Sequence, residues 1–224
     1  MTYANTNTSG GIPLSWTSTY DYASGTYNGN PAIVWTNSYT LVGKTSSSVN
    51  YLNPTTGAVV ANGSNTDTTI TTYDPVDYES QLRNAVTTVG QSTTVKVKAR
   101  ISGSGITTAF SAIGGGTALN MDYSYTVTRQ PNETITVGST SYTTCKLQIN
   151  ATVSNVTLEG GNSSNPYYNM MFNTLASIYT APISSTVWTS NQVPNIVKST
   201  GSFTAAGSTA SSSQTLTTVK LAAR

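Results

Sequence analysis

The chain has 224 residues and a formal net charge of +2, with 8% charged residues, one cysteine and no histidine. That length buries a core without disulfide or metal support, and so few cations cannot neutralise a row of phosphates, so nucleic acid is not an expected partner. The missing imidazole excludes Ser-His and Cys-His nucleophiles, and with a single thiol it leaves no structural zinc site to assemble; no cofactor is expected.

Residues 1–14, beginning "MTYANTNTSGG", are rich in Thr, Asn, Ser and Gly and lack an apolar run. This composition predicts a flexible tether of the kind that follows an export signal or a lipid-attachment cysteine, ahead of a single β domain over 15–224. No stretch is long and apolar enough to predict a membrane-spanning segment. From 16 to 44, alternation on both sides of a Gly/Asn/Pro cluster predicts strand, turn, strand. "SVNYLNPTTGAVVANG" predicts a second hairpin turning at Asn53, Pro54 and Gly57. "DTTITTYDP" reads as a strand stopped by Asp74 and Pro75. "VDYESQLRNAV" predicts a short helix with Asp77 as N-cap, Glu79 in the first turn, and Val76, Leu82, Ala85 and Val86 on one face.

"TTVKVKARI" alternates Val95, Val97, Ala99 and Ile101 against Lys96, Lys98 and Arg100, the pattern of a half-buried strand. The glycine-rich stretch 103–116 reads as a loop. "LNMDYSYTVTRQ" then places Met121, Tyr123, Tyr125 and Val127 on one face. In "ITVGSTSYTTCKLQI", Gly138 divides two strands, the second with Thr143, Cys145, Leu147 and Ile149 on its apolar side. "YYNMMFNTLASIY" reads as a short helix or an irregular apolar segment, and strands over 185–190, 196–203 and 214–221 complete the chain. About ten strands with hairpin-length connections and one or two short helices predict an all-β, antiparallel meander, and a sheet this large must curl or split.

Eight carboxylates remain as candidate chemistry: Asp21, Asp67, Asp74, Asp77, Glu79, Asp122, Glu133 and Glu159. Two acids facing one another across a cleft would suit a glycosidase, and "DPVDYE" offers oxygens to Ca²⁺ without the glycine and spacing of an EF-hand loop. Turns, a helix cap and a solvated face account for the same residues more simply. Cys145 has no histidine to activate it and reads as an inert thiol against the core.

"ETITVGSTSYTTCKLQI", from Glu133, resembles the pattern Glu-x-Val-Thr-Val-Pro-Ala-Gly-Thr-Phe-x-Thr-x-Lys of bacterial exported proteins and lipoproteins of unknown function. "VWTSNQVPNIVKST" resembles their companion pattern Trp-Tyr-Ala-x-Gly-Val-Gly-x-Val-Lys, and "QTLTTVKL" their closing strand. Gly138-Ser139 stands in place of Pro-Ala-Gly, and Asn191 and Val193-Pro194-Asn195 in place of the glycine-rich turn. The resemblance covers the last third of the chain. It implies an open, strongly curved half-barrel, similar to the lipoprotein-localisation factors, whose concave face holds acyl chains. It implies an exported location, whether periplasmic, tethered to the outer membrane or extracellular, and supplies no catalytic residue.

Two readings follow. One is a non-enzymatic domain that binds a lipid or other apolar or amphipathic ligand on the concave face through Trp16, Trp35, Tyr123, Tyr125, Tyr142 and Trp188, aromatics that offer apolar area at low entropy cost. A segment over 170–179 filling that face would weaken it. The other is a structural or adhesin-like subunit that self-associates through edge strands, motivated by threonine-rich strands with few lysines to discourage edge pairing.

Overall fold

Alternation fixes which way each strand faces, and β7 (Ser92–Gly103) shows it plainly: Val95, Val97 and Ala99 are buried while Lys96, Lys98 and Arg100 are exposed. The computed structural model describes residues 1–9, 12–41, 43–64, 69–111, 115–193, 195–205 and 208–219. Before β7 come β1 (Thr2–Ser9), β2 (Ile12–Tyr27), β3 (Asn30–Leu41), β4 (Lys44–Leu52), β5 (Val59–Ser64) and β6 (Thr69–Asp74). After it come β8 (Ala118–Val137), β9 (Thr140–Glu159), β10 (Ile183–Thr189), β11 (Ile196–Ala205) and β12 (Ser208–Thr218). Each strand pairs antiparallel with its neighbours in sequence, and β1 pairs with β12.

The all-β antiparallel meander with few short helices agrees with the sequence, but the expected open half-barrel is a closed barrel. The difference lies in the expected tether. Thr2–Ser9 is a strand, hydrogen-bonded to β2 on one side and β12 on the other. Tyr3 and Asn5 turn inward and are buried, while Thr6 faces out and shares a hydrogen bond with Ser213 across the closing seam, 2.7 Å. Residues 10 and 11 of that segment, 112–114 of the expected loop, and 220 and 221 of the expected last strand lie outside the described residues.

The turns gather at two ends. Between β2 and β3, Asn28 and Gly29 have φ of 50° and 78°, the doubly positive pair that a two-residue hairpin needs to match strand twist. At the same end, helix α1 (Tyr78–Asn84) joins β6 to β7. Its Tyr78 and Leu82, with Val86 just beyond, pack on Val97, Val127 and Leu147, so the helix plugs the barrel. Asp77 does not cap it: its carboxylate accepts from Gln81 Nε2 at 2.9 Å, and Val76 is exposed rather than on the buried face.

A register shift between Gln130 and Glu133 bends the tip of the β8–β9 hairpin over this end. Ile135, Val137 and Tyr142 thereby reach Tyr3, Tyr20 and Leu216. The shift also corrects the expected facing of β9: Tyr142 and Thr144 are buried and Thr143 is exposed, while Cys145 and Leu147 belong to the core around α1. At the opposite end, α2 (Ser104–Phe110) occupies part of the expected loop, and α3 (Pro166–Tyr179) follows β9. Ile106 and Phe110 of α2 and Tyr168 and Phe172 of α3 pack with Leu119 and Met121.

Among the described residues, pairing is shortest between β5 and β6, where the register comprises Asn62 with Thr71 and Gly63 with Ile70. Outside, hydroxyls face one another across strands, as in Ser92 with Thr128 at 3.0 Å and Thr40 with Thr45 at 2.9 Å. This hydroxyl-rich outer face is unlike the apolar outer band of a membrane-spanning barrel.

Candidate functional site: the barrel lumen

Side chains just fill a barrel of about eight strands, and more strands widen the interior beyond what they reach. Here α1 and inward tyrosines occupy part of that width. A cavity of about 280 Å³ remains between Trp35 of β3, Tyr78 and Leu82 of α1, and Tyr125, Leu147 and Val187 of β8 to β10. A second, of about 260 Å³, lies between Asn7 of β1, Gly201 and Phe203 of β11, Ser212 of β12 and Ile183 of β10. Ser185 borders both. Alternate residues of β10 therefore form one wall, running from α1 toward the end that α1 leaves open. Large inward-facing residues there remain accessible, Ile12 at 74% and Phe203 at 42%.

Aromatic rings line the lumen on two sides. Tyr20 lies 5.6 Å and Tyr22 5.9 Å from Trp35, the latter stacked. Opposite them, Tyr73 and Tyr78 lie 4.7 Å apart, and Tyr123 stacks on Tyr125 at 5.5 Å. Burial pushes the phenol of Tyr22 up to about 12, with the nearby Arg83 opposing the rise, and burial raises Tyr3, Tyr78 and Tyr125 further. These rings stay neutral at any physiological pH. The charges bordering the first cavity, Glu79 and Arg83, pair with each other at 3.2 Å.

Polar atoms are also buried along the inner faces. Asn5 donates to the Ser18 hydroxyl at 2.9 Å, and Asn62 to the Tyr73 hydroxyl at 3.1 Å. Trp35 Nε1, Asn37 Oδ1 and Asn7 Oδ1 are buried without a hydrogen-bond partner among the described residues.

Of the aromatics singled out in the sequence, Trp35 and Tyr125 border the first cavity and Tyr123 stacks beside Tyr125. Trp16 is 6.4 Å from Tyr39 on the inner face of β2. Tyr142 is packed under the hairpin tip. Trp188 does not face the lumen. Its neighbour Val187 does, so Trp188 points outward, where Lys146 and Lys198 sit 5.1 and 4.9 Å from its ring and its Nε1 donates to Glu133 at 2.8 Å. That bond, then the one from Lys146, holds the Glu133 carboxyl below its ordinary range. The α1 contribution was missed, because Tyr78 and Leu82 read as an ordinary amphipathic face. The lumenal Asn7 and Asn37 were missed because polar residues on strands read as outward.

Of the segment over 170–179, Phe172 and Tyr179 pack with Leu119, Met121 and Val153, inward positions of β8 and β9, so α3 covers the concave face at that end, whereas the first cavity is bordered by α1. Outside the barrel, a groove of about 540 Å³ crosses β6 to β9, with Lys98 set between Asp74 and Asp122 in strand register. Its groups engage one another, Asn155 donating to Asp122 at 2.7 Å and Arg100 to Glu159 at 2.9 Å. Asp77 and Glu79 of the suggested calcium segment are committed to Gln81 and Arg83, and Asp67 lies outside the described residues. Among the described residues, no three His, Cys, Asp or Glu gather to hold a metal ion, and no helix is long and apolar enough to cross a membrane.

No known protein family and no curated protein matches the chain. Among solved structures, it is similar to the hypothetical lipoprotein YmcC of Escherichia coli K12, at 8% identity and a TM-score of 0.43, over 95% of this chain and 85% of that one. It is also similar to a protein of Bacteroides fragilis described as exported with a YmcC-like fold, at 13% identity and a TM-score of 0.46, over 98% and 95%. A third similarity is to a protein of Parabacteroides distasonis described as a lipoprotein, at 12% identity and a TM-score of 0.36, over 98% and 94%. All three are remote.

Proposed function

We propose that this protein is a non-enzymatic envelope or extracellular binding protein whose barrel lumen holds an apolar or amphipathic ligand such as a lipid. The carrying observation is the aromatic-walled cavity beneath α1, continued along β10 by a second cavity at an end where apolar side chains remain accessible. Burial of ligand in a concave, mostly apolar space with a few fixed polar groups is the general physics of small-molecule sites. The exported location belongs to the same proposal and rests on the motif resemblance around Glu133 and Cys145. The self-assembling alternative loses its motive, because β1 and β12 pair with each other and the sheet has no end strand.

Native mass spectrometry of protein purified without detergent, before and after solvent extraction, tests the reading. A discrete extra mass released as lipid supports it. Ligand-free protein that also takes up no added apolar probe refutes it.

A further inference from the structure

We infer that the lumen selects an uncharged amphiphile whose head carries a hydroxyl or carboxamide, and that Trp35 and Asn37 recognise that head. The inference rests on the lumenal binding reading and adds its chemistry.

Buried polar atoms without partners are uncommon in folded proteins, and each is costly unless something pairs with it. Trp35 Nε1 is a donor, Asn37 Oδ1 is an acceptor, and neither has a partner among the described residues. The two residues are two apart on the inner face of β3, opposite Tyr22 and Tyr20 in register. That places their Cα atoms about 7 Å apart along the strand, and of the two Trp35 borders the first cavity.

The required chemistry is selective. A head bearing hydroxyls or a carboxamide has both an acceptor for the indole N–H and a donor for the amide oxygen. A carboxylate or phosphate diester has nothing to donate to Asn37, and an ammonium has nothing to accept from Trp35. Among the described residues bordering the first cavity, charge finds no free counter-ion either. Glu79 and Arg83 neutralise each other, and the buried Arg129 is spent on the carbonyls of Gln130 and Lys146 and on Asn132. For the apolar portion, Leu147 and Val187 border the first cavity and Ile183 and Phe203 the second, with Ser185 bordering both. Asn7 offers a second unpaired acceptor along it.

Delipidated full-length protein is loaded with phenylnaphthylamine, whose fluorescence reports apolar sites, and the probe is displaced at about pH 8 by monopalmitoylglycerol, palmitate or hexadecylamine, the last two then charged. The neutral lipid is expected to displace it at about tenfold lower concentration than either charged chain, about 1.4 kcal/mol of preference. Trp35→Phe keeps the ring and removes the N–H, and Asn37→Ala removes the acceptor. Each is expected to erase that preference, and a far-ultraviolet dichroism spectrum and urea midpoint close to wild type show that the variant has folded. Equal displacement by all three lipids, or a preference that survives both variants, overturns the inference and leaves lumenal binding standing. No uptake of the probe by the wild-type protein sinks the inference together with the reading beneath it.

Discussion

Replacing Gly63 with alanine tests how the barrel closes. A Cβ there would lie 2.7 Å from the backbone oxygen of Thr69 and 2.6 Å from Ile70 Cδ1. The side chain can rotate away, but the carbonyl oxygen belongs to the partner strand and can only retreat by separating β6 from β5. Overpacking of this kind costs about 1–3 kcal/mol, and the stiffer unfolded chain returns about 0.4–1 kcal/mol, so a net loss of about 1–2 kcal/mol is expected. In a domain of this size that lowers Tm by about 2–8 °C. Gly25→Ala is the control, because its Cβ would meet only the Val34 Cγ2 methyl, at 2.5 Å. Turning Val34 costs about 0.5–1.5 kcal/mol, close to what the chain-entropy gain offsets, and the net change is near zero. Urea unfolding of both variants measures the difference. Equal stability of Gly63→Ala and Gly25→Ala would refute the view that close backbone approach at Gly63 holds the shortest pairing together.

Glu159 is held down to about 2, first by the Arg100 hydrogen bond and then by Asn120, so its contribution is present above its ordinary 4.5 and is lost as pH falls toward 2. Glu159→Gln should accordingly lower the urea midpoint at neutral pH, with the gap to wild type closing near pH 2. The raised phenols of Tyr3, Tyr22, Tyr78 and Tyr125 act oppositely: stability present below their unfolded value near 10 is lost as pH rises above it. Ultraviolet titration should show these four ionising together with loss of near-ultraviolet dichroism, and stepwise ionisation in an intact fold would contradict their burial. Cys145 is half-buried against the α1 core, so Cys145→Ser should cost about 1 kcal/mol and a thiol reagent should label the native protein slowly.

Strands with strict alternation were legible, β7 above all, because one face meets an apolar core and the other meets water. β1 was not. Its inward positions include Asn5 and Asn7 as well as Tyr3, and a partly polar lumen erases the hydrophobic period by which a strand is recognised. Closure went unseen for the same reason, since the strand that completes the ring read as a tether. Helix α2 is built from Ser, Gly and Thr, poor helix formers, and is held by Ile106 and Phe110 one turn apart on the core beside Leu119. At Val187 and Trp188 two adjacent apolar residues left the facing of β10 undecided. Aromatic ring size suggested the lumen, whereas two lysines and Glu133 hold the indole outside.

Pairing of β1 with β12 also governs how the chain reaches its native state. The other strand pairs join consecutive segments, whereas Thr6 and Ser213 are 207 positions apart. Loop-closure entropy favours the hairpins first and makes ring closure the late, slow event. Until it happens, two bare edges rich in threonine and poor in lysine face the solvent. Nascent chains on which β12 has yet to emerge would spend their synthesis time in that sticky intermediate, so assembly speed, rather than equilibrium stability, should limit the yield of soluble barrel.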